Sequence, residues 1–169
     1  MVFLCLAHLS TTYFWMLIML KIVIVDTSAL IILHKIEKLD LLHKIYEKII
    51  TTPDVAAEFG ETLPSWITIR AVSDQKYQKI LETQIDSGEA SVLALASEFE
   101  NITVILDDLK ARKLAQKLNF KTTGTLGVII KAKQLLIIPK VKPILEKLLQ
   151  TNFRIAQNII DEILLLNNE

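Results

Sequence analysis

Five short runs rich in β-branched residues, each followed by a segment with helical spacing, constrain this chain most. They lie at residues 22–25, 48–52, 66–72 and 102–106, and at the start of the stretch "FKTTGTLGVIIKAKQLL". The first run, "IVIV", has no polar alternation, which marks a strand covered on both faces. Strands that alternate with helices imply a mainly parallel central sheet between two helical layers, a three-layer α/β domain. The helical segments begin at Ser28, with a break near Leu39 and Asp40. They continue at Pro53, a favourable first-turn residue, and in "DQKYQKILETQ". Further helices follow Asp86 or Ser87 as cap, Asp108 as cap, and a glycine-bounded turn after the last strand. Two amphipathic helices follow Pro139.

With 169 residues the chain supports one domain with a substantial core. The single cysteine, Cys5, excludes a disulfide framework and a thiolate zinc site, and points to a reducing cytoplasm. His8, His34 and His43 have no ligand-like spacing. Residues 1–20 are apolar over about one membrane span. Yet they lack a basic leading region and a small-residue cleavage site before Lys21, and His8, Ser10, Thr11 and Thr12 interrupt them. They also abut the first strand without a linker. The expected organisation is an over-extended start or a dispensable tail over 1–20, with a natural start at Met19 and a membrane anchor as the lesser alternative, a sheet domain over 21–138, and a helical extension over 139–169 packed on the domain or on a partner. No membrane partner is expected.

Net charge is zero, but it is unevenly spread. Eleven of the 19 basic residues lie between Leu109 and Arg154, with Glu146 the one acid among them. The asymmetry implies a surface for a polyanion beside an acidic region, or else a set of solvated helix faces.

The acids have a pattern of their own. In parallel sheets, function gathers outside the carboxyl ends of the strands. Asp26 ends one strand, Asp107 and Asp108 end another, Glu89 stands in the first turn of a helix, and Glu58 lies in the short helix after the second strand. Brought together, such carboxylates repel one another until a cation intervenes. Hard Mg²⁺ takes oxygen ligands and keeps several waters, so no His or Cys is needed. Such an ion can activate water against a phosphodiester. Each acid also has a plainer role. Asp26 and Asp108 can cap helices, Asp108 can pair with Arg112, Glu89 can complement a helix dipole, and Glu58 can be a solvated acid. Thr27, Ser28 and Thr125 offer hydroxyls that orient water or phosphate, or cap helices.

Other acidic α/β classes fit poorly. A receiver domain carries its acidic pair early in the chain, and here the pair is late. A haloacid-dehalogenase-like phosphatase needs Asp two positions after the first, where Ser28 stands. A dinucleotide fold needs a glycine-rich turn after its first strand, and "DTSALI" has none. The ordered segments "VDTSAL", "PDVAAEF", "DSGEASVLALA" and "ILDDLKARKLA" instead resemble the PIN-domain ribonucleases, and within them the VapC-like toxins of prokaryotic toxin–antitoxin pairs. The resemblance covers roughly Lys21 to Pro139. It implies a divalent-metal-dependent endoribonuclease using Mg²⁺ or Mn²⁺, with RNA as substrate and a cognate antitoxin as partner. Carried over, Asp26, Glu89 and Asp108 hold the metal, with Asp107 and Glu58 completing the catalytic acids. Lys110, Arg112 and Lys113 then contact phosphate. The alternative is a non-catalytic PIN-like domain that binds RNA or protein.

At the far end, "FRIAQNIIDEILLLNN" places Ile155, Ile159, Ile160, Ile163 and Leu166 broadly on one helical side. Such a stripe packs on its own domain, on a second copy in a homodimer, or on a partner.

Overall fold

The computed structural model describes residues 22–169, so the expectations for the N-terminal extension lie outside the described residues. The first strand, β1 (Ile22–Val25), buries Val23, Ile24 and Val25 completely. It pairs in parallel with β2 (Lys48–Thr51) on one side and β4 (Thr103–Ile105) on the other. The edges are β3 (Ile67–Ile69) and β5 (Lys121–Thr123), giving the all-parallel order β3-β2-β1-β4-β5. The chain moves outward from β1 in one direction and returns to continue in the other. The β1–β4 boundary is therefore the topological switch point, where the connections diverge and leave a crevice. This is the three-layer α/β architecture expected from the strand–helix alternation.

Three strands are shorter than their apolar runs. Thr52 leaves β2 to cap the next helix, its hydroxyl accepting the Val55 amide at 3.2 Å. Arg70 donates one last amide bond to the Thr51 carbonyl. Its guanidinium then turns outward to Glu98 and over the Phe99 ring, ending β3. Leu106 likewise gives its amide to Thr123 and ends β4.

One layer holds α1 (Thr27–Lys35), α2 (Asp40–Ile45), α3 (Pro53–Phe59) and α7 (Thr125–Gln134), with α1 packed on α3 and α7, and α2 on α7. The other holds α4 (Gln75–Glu82), α5 (Ser87–Ala96) and α6 (Leu109–Lys117). The break between α1 and α2 comes slightly earlier than the sequence implied. Glu37 adopts a left-handed conformation, φ 57°, while the Lys38 amide reaches back to Leu33 and the Glu37 amide to His34. That is a Schellman ending built without glycine. Apart from Glu89, every residue from Gly88 to Ala96 in α5 is buried, so this helix is covered nearly all round.

Two more helices, α8 (Lys142–Leu149) and α9 (Gln157–Leu166), follow the sheet domain. Ile144, Leu145 and Leu148 of α8 join the core. The last helix starts later than its apolar stripe, because Thr151 ends α8 with a turn: its hydroxyl donates to the Leu148 carbonyl and accepts the Phe153 amide. The stripe divides accordingly. Ile160 and Ile163 are buried, whereas Leu166 is 73% exposed. Among the described residues no helix is long and apolar enough to cross a membrane.

Candidate active site

Asp26 occupies the residue after β1 at the switch point, and its own amide still bonds the Ile105 carbonyl of β4. Its carboxylate is 1% exposed. Oδ1 accepts the Ala29 amide at 2.9 Å, which makes Asp26 the cap of α1. Oδ2 accepts the Ser28 hydroxyl at 2.6 Å. Burial pushes this carboxyl up to about 7; these two bonds oppose the rise, and the charges of Asp107 and Glu89 add to it. A helix cap exposed to water would show no such rise. The capping role is thus real, but it does not account for the electrostatics.

Glu89 stands in the first turn of α5 and accepts the Asp86 amide at 3.3 Å, half of a capping box. Its carboxyl is also raised to about 7, chiefly by burial and then by the charge of Asp108. Asp86 and Glu58 add further repulsion. Asp26, Thr27, Ser28, Glu58, Asp86 and Glu89 line one cleft of about 60 Å³, the space of roughly two waters. Glu58, the most weakly signalled acid in the sequence, belongs to this cleft. Asp86 does too, although the sequence marked it only as a cap. The signal available was its place in the same helical turn as Glu89.

The adjacent acids Asp107 and Asp108 divide their tasks. Asp107 accepts both the amide and the hydroxyl of Thr125, anchoring the start of α7 to the end of β4. Burial raises its pKa, while the Thr125 bonds and the Arg112 guanidinium hold it back. Asp108 caps α6, with Oδ1 accepting the Lys110 and Ala111 amides at 2.7 and 2.8 Å. The expected Asp108–Arg112 pairing is therefore redirected: Asp108 turns to its own helix, and Arg112 bears on Asp107. Neither Asp107 nor Asp108 lines the cleft, but their charges reach Asp26 and Glu89 respectively.

All three hydroxyls singled out in the sequence donate to carboxylates. Thr27 donates to Glu58 at 2.7 Å, Ser28 to Asp26, and Thr125 to Asp107. Lys110 and Lys113 are exposed on α6, and Arg112 is half-buried. The remaining cations of this half are dispersed. Lys131 lies over the Tyr46 ring, Lys133 pairs with Glu169, and Lys147 pairs with Glu37.

A chain of buried hydroxyls spaces the acidic helices. Ser91 of α5 donates to the Gly88 carbonyl at 2.7 Å, so at 2.7 Å from Ser91 the Thr52 hydroxyl must be the donor. Thr52 in turn accepts the Val55 amide. This run ties the start of α3, which carries Glu58, to the first turn of α5, which carries Glu89. Gly88 completes the fit. A Cβ there would stand 2.7 Å from Glu58 Oε2 and 3.3 Å from Thr27 Oγ1. Gly88→Ala favours the helix by about 1 kcal/mol in intrinsic propensity. The variant should keep or raise the melting temperature while pushing the Glu58 carboxylate out of the cleft. If the cleft takes a cation, a fall of roughly ten-fold in its affinity for Mn²⁺, read beside the melt, is the expected outcome. Unchanged cation affinity would leave Glu58 outside the cleft's binding set.

The donor chemistry of the cleft, carboxylates and hydroxyls only, fits a hard divalent cation. Among the described residues, no three His, Cys, Asp or Glu side chains are grouped so as to hold one ion directly. Such a donor set would suit a hydrated hard divalent cation held by one or two carboxylates.

A family model described as a PIN domain (DUF3368) matches residues 22–169, spanning the sheet domain and both final helices. No curated protein matches the chain.

Proposed function

Because the chain belongs to the PIN-domain family, whose domains are typically nucleases, we propose that it is a divalent-metal-dependent endoribonuclease, the toxin of a toxin–antitoxin pair. One observation carries this reading: Asp26, Glu58, Asp86 and Glu89 converge on one small cleft at the switch point, where Asp26 and Glu89 are raised to about 7. Groups at a fold's functional crevice that oppose one another electrostatically are candidates for cation and substrate binding.

In this reading Asp26 and Glu89 hold the cation, with Glu58 and Asp108 adding charge or a water-bridged contact. The bound ion supplies Lewis acidity toward the scissile phosphate and makes water more acidic. Ser28 and Thr27 fix the orientation of Asp26 and Glu58 through their hydroxyl bonds. Asp107, through Thr125, sets the end of β4 and the start of α7 around the crevice. Lys110 and Lys113, with Arg112, give the approaching RNA backbone its positive contacts, and the cytoplasm is the compartment that supplies such a substrate.

The test is RNA cleavage by the pure protein, with Mn²⁺ or Mg²⁺ and after chelation. Divalent-dependent cleavage supports the enzyme. RNA binding without cleavage under any divalent condition supports the non-catalytic PIN-like alternative. For the toxin role, a small neighbouring reading frame should encode a protein that co-purifies with this chain and stops cleavage.

The cationic contacts make a separate prediction. RNA affinity should fall as salt rises, through counterion release. Lys110→Glu with Lys113→Glu should lower affinity about ten-fold and flatten the salt slope by about two, without changing the melt. Filter binding across a salt series reads both quantities. An unchanged slope would move the RNA surface elsewhere.

A further inference from the structure

Three buried hydroxyls tie together the elements that carry the cleft acids. Thr51, Thr52 and Ser91 are each 0% exposed. Thr51 closes β2 and donates its hydroxyl to the Val25 carbonyl at 2.9 Å. Val25 directly precedes Asp26. This bond therefore fixes the end of β1 from the β2 side, while the Asp26 amide fixes it from the β4 side through Ile105. The next residue, Thr52, caps α3 and donates to Ser91 of α5 at 2.7 Å. Ser91 hands the chain on to the Gly88 carbonyl, one residue before Glu89. Asp26, Glu58 and Glu89 thus stand at three elements whose separations are held by two consecutive threonines and one serine.

Stability alone does not call for this arrangement. A hydrogen bond between buried neutral groups adds little net free energy, and an apolar pair of the same shape can fill a core as well. What the hydroxyls add is a set distance and direction. Their bonds hold heavy atoms 2.7 to 2.9 Å apart, where apolar contacts tolerate sliding. Among the described residues no buried side-chain polar atom lacks a partner. A network so fully satisfied is rigid. The carboxylates cannot draw apart without breaking one of its buried bonds, and the cleft they line is only about 60 Å³.

Divalent cations make different demands on such a site. Mg²⁺ needs a compact octahedral shell at about 2.0–2.1 Å and keeps several waters. Ca²⁺ takes about six to eight oxygens at about 2.3–2.6 Å and suits a site that can adapt. We propose that Thr51, Thr52 and Ser91 are positioning residues that gauge the cleft, so that it selects a small hydrated divalent cation over the larger Ca²⁺. The proposal rests on the cation-binding reading of the cleft and adds to it the residues that set ion size.

The test is a competition on the full chain after chelation. Electron paramagnetic resonance of free Mn²⁺ measures binding, and Mg²⁺ or Ca²⁺ is then titrated against the bound Mn²⁺. In the wild type, half-displacement should need more Ca²⁺ than Mg²⁺. Ser91→Ala should lower that Ca²⁺-to-Mg²⁺ ratio about ten-fold. Thr51→Val should do the same; it keeps the side-chain shape and serves where the serine variant folds poorly. Thr52→Ser retains both cap and hydroxyl and should keep the wild-type ratio. A general loosening of the domain lowers affinity for every ion and leaves the ratio unmoved, so the ratio separates a gauge from simple support. Two results overturn the proposal and leave the cation site standing: a wild-type ratio at or below one, or a ratio that neither Ser91→Ala nor Thr51→Val moves. A wild type that binds no Mn²⁺, or binding indifferent to Glu89→Gln, overturns the cation reading and the gauge with it.

Discussion

Replacing Asp26 by asparagine should abolish metal-dependent RNA cleavage while leaving the fold in place. Asparagine caps helices as well as aspartate does, so the Ala29 amide keeps its acceptor. The Ser28 hydroxyl can turn to accept from the new amide group. What disappears is the anionic oxygen that a hard cation requires. A loss of about 100-fold or more is expected, the scale on which a metal contributes to transition-state charge. Asp26→Ala provides the contrast. It should lose the same activity and in addition about 1 kcal/mol of stability, because the cap goes with the charge. Cleavage assays beside urea melts separate the two effects. Wild-type cleavage by Asp26→Asn would reduce Asp26 to a helix cap.

The second large effect is on stability, and its sign follows from the direction of the shift. The folded Asp26 carboxyl titrates near 7, against an ordinary value of 3.8. Between about pH 4 and pH 7 the folded protein therefore holds a proton that the unfolded chain has released. Without metal, stability is fully present below that window and falls as pH rises through it. For a group so buried the loss approaches about 4 kcal/mol as an upper bound. Glu89, raised in the same direction, adds to the slope. Urea melts of chelated protein at about pH 5 and about pH 8 measure it. Asp26→Asn should remove Asp26's share of the slope, leaving that of Glu89, and be more stable than the wild type at the higher pH. Added Mn²⁺ should restore wild-type stability at that pH, since the cation favours the ionised carboxylates. A metal-free protein equally stable at both values would mean that Asp26 stays charged in a well-compensated site.

Backbone architecture was legible because it depends on local pattern. An unbroken "IVIV" announces a strand covered on both faces, and β1 is the central strand with its last three residues fully buried. Pro53 opens α3 and Asp108 caps α6 because both act on their own neighbours in the chain. The place of Asp26 was likewise legible, since the residue that ends the central strand at a switch point lies at the crevice.

Only the folded chain decided how those acids divide the work. Asp107 and Asp108 are adjacent in sequence, yet one anchors α7 through Thr125 and the other caps α6. The choice depends on where β5 delivers Thr125. Glu58 enters the cleft because Gly88, thirty residues later, leaves room for its carboxylate and Thr27 donates to it. The Thr52–Ser91 bond that sets the spacing of α3 and α5 joins residues 39 positions apart. The exposure of Leu166, beside the buried Ile160 and Ile163, reflects how much of the tail stripe the core could cover. Sequence periodicity assigns residues to a helical side, but which part of that side finds apolar neighbours is set by packing between elements, and no local pattern encodes it.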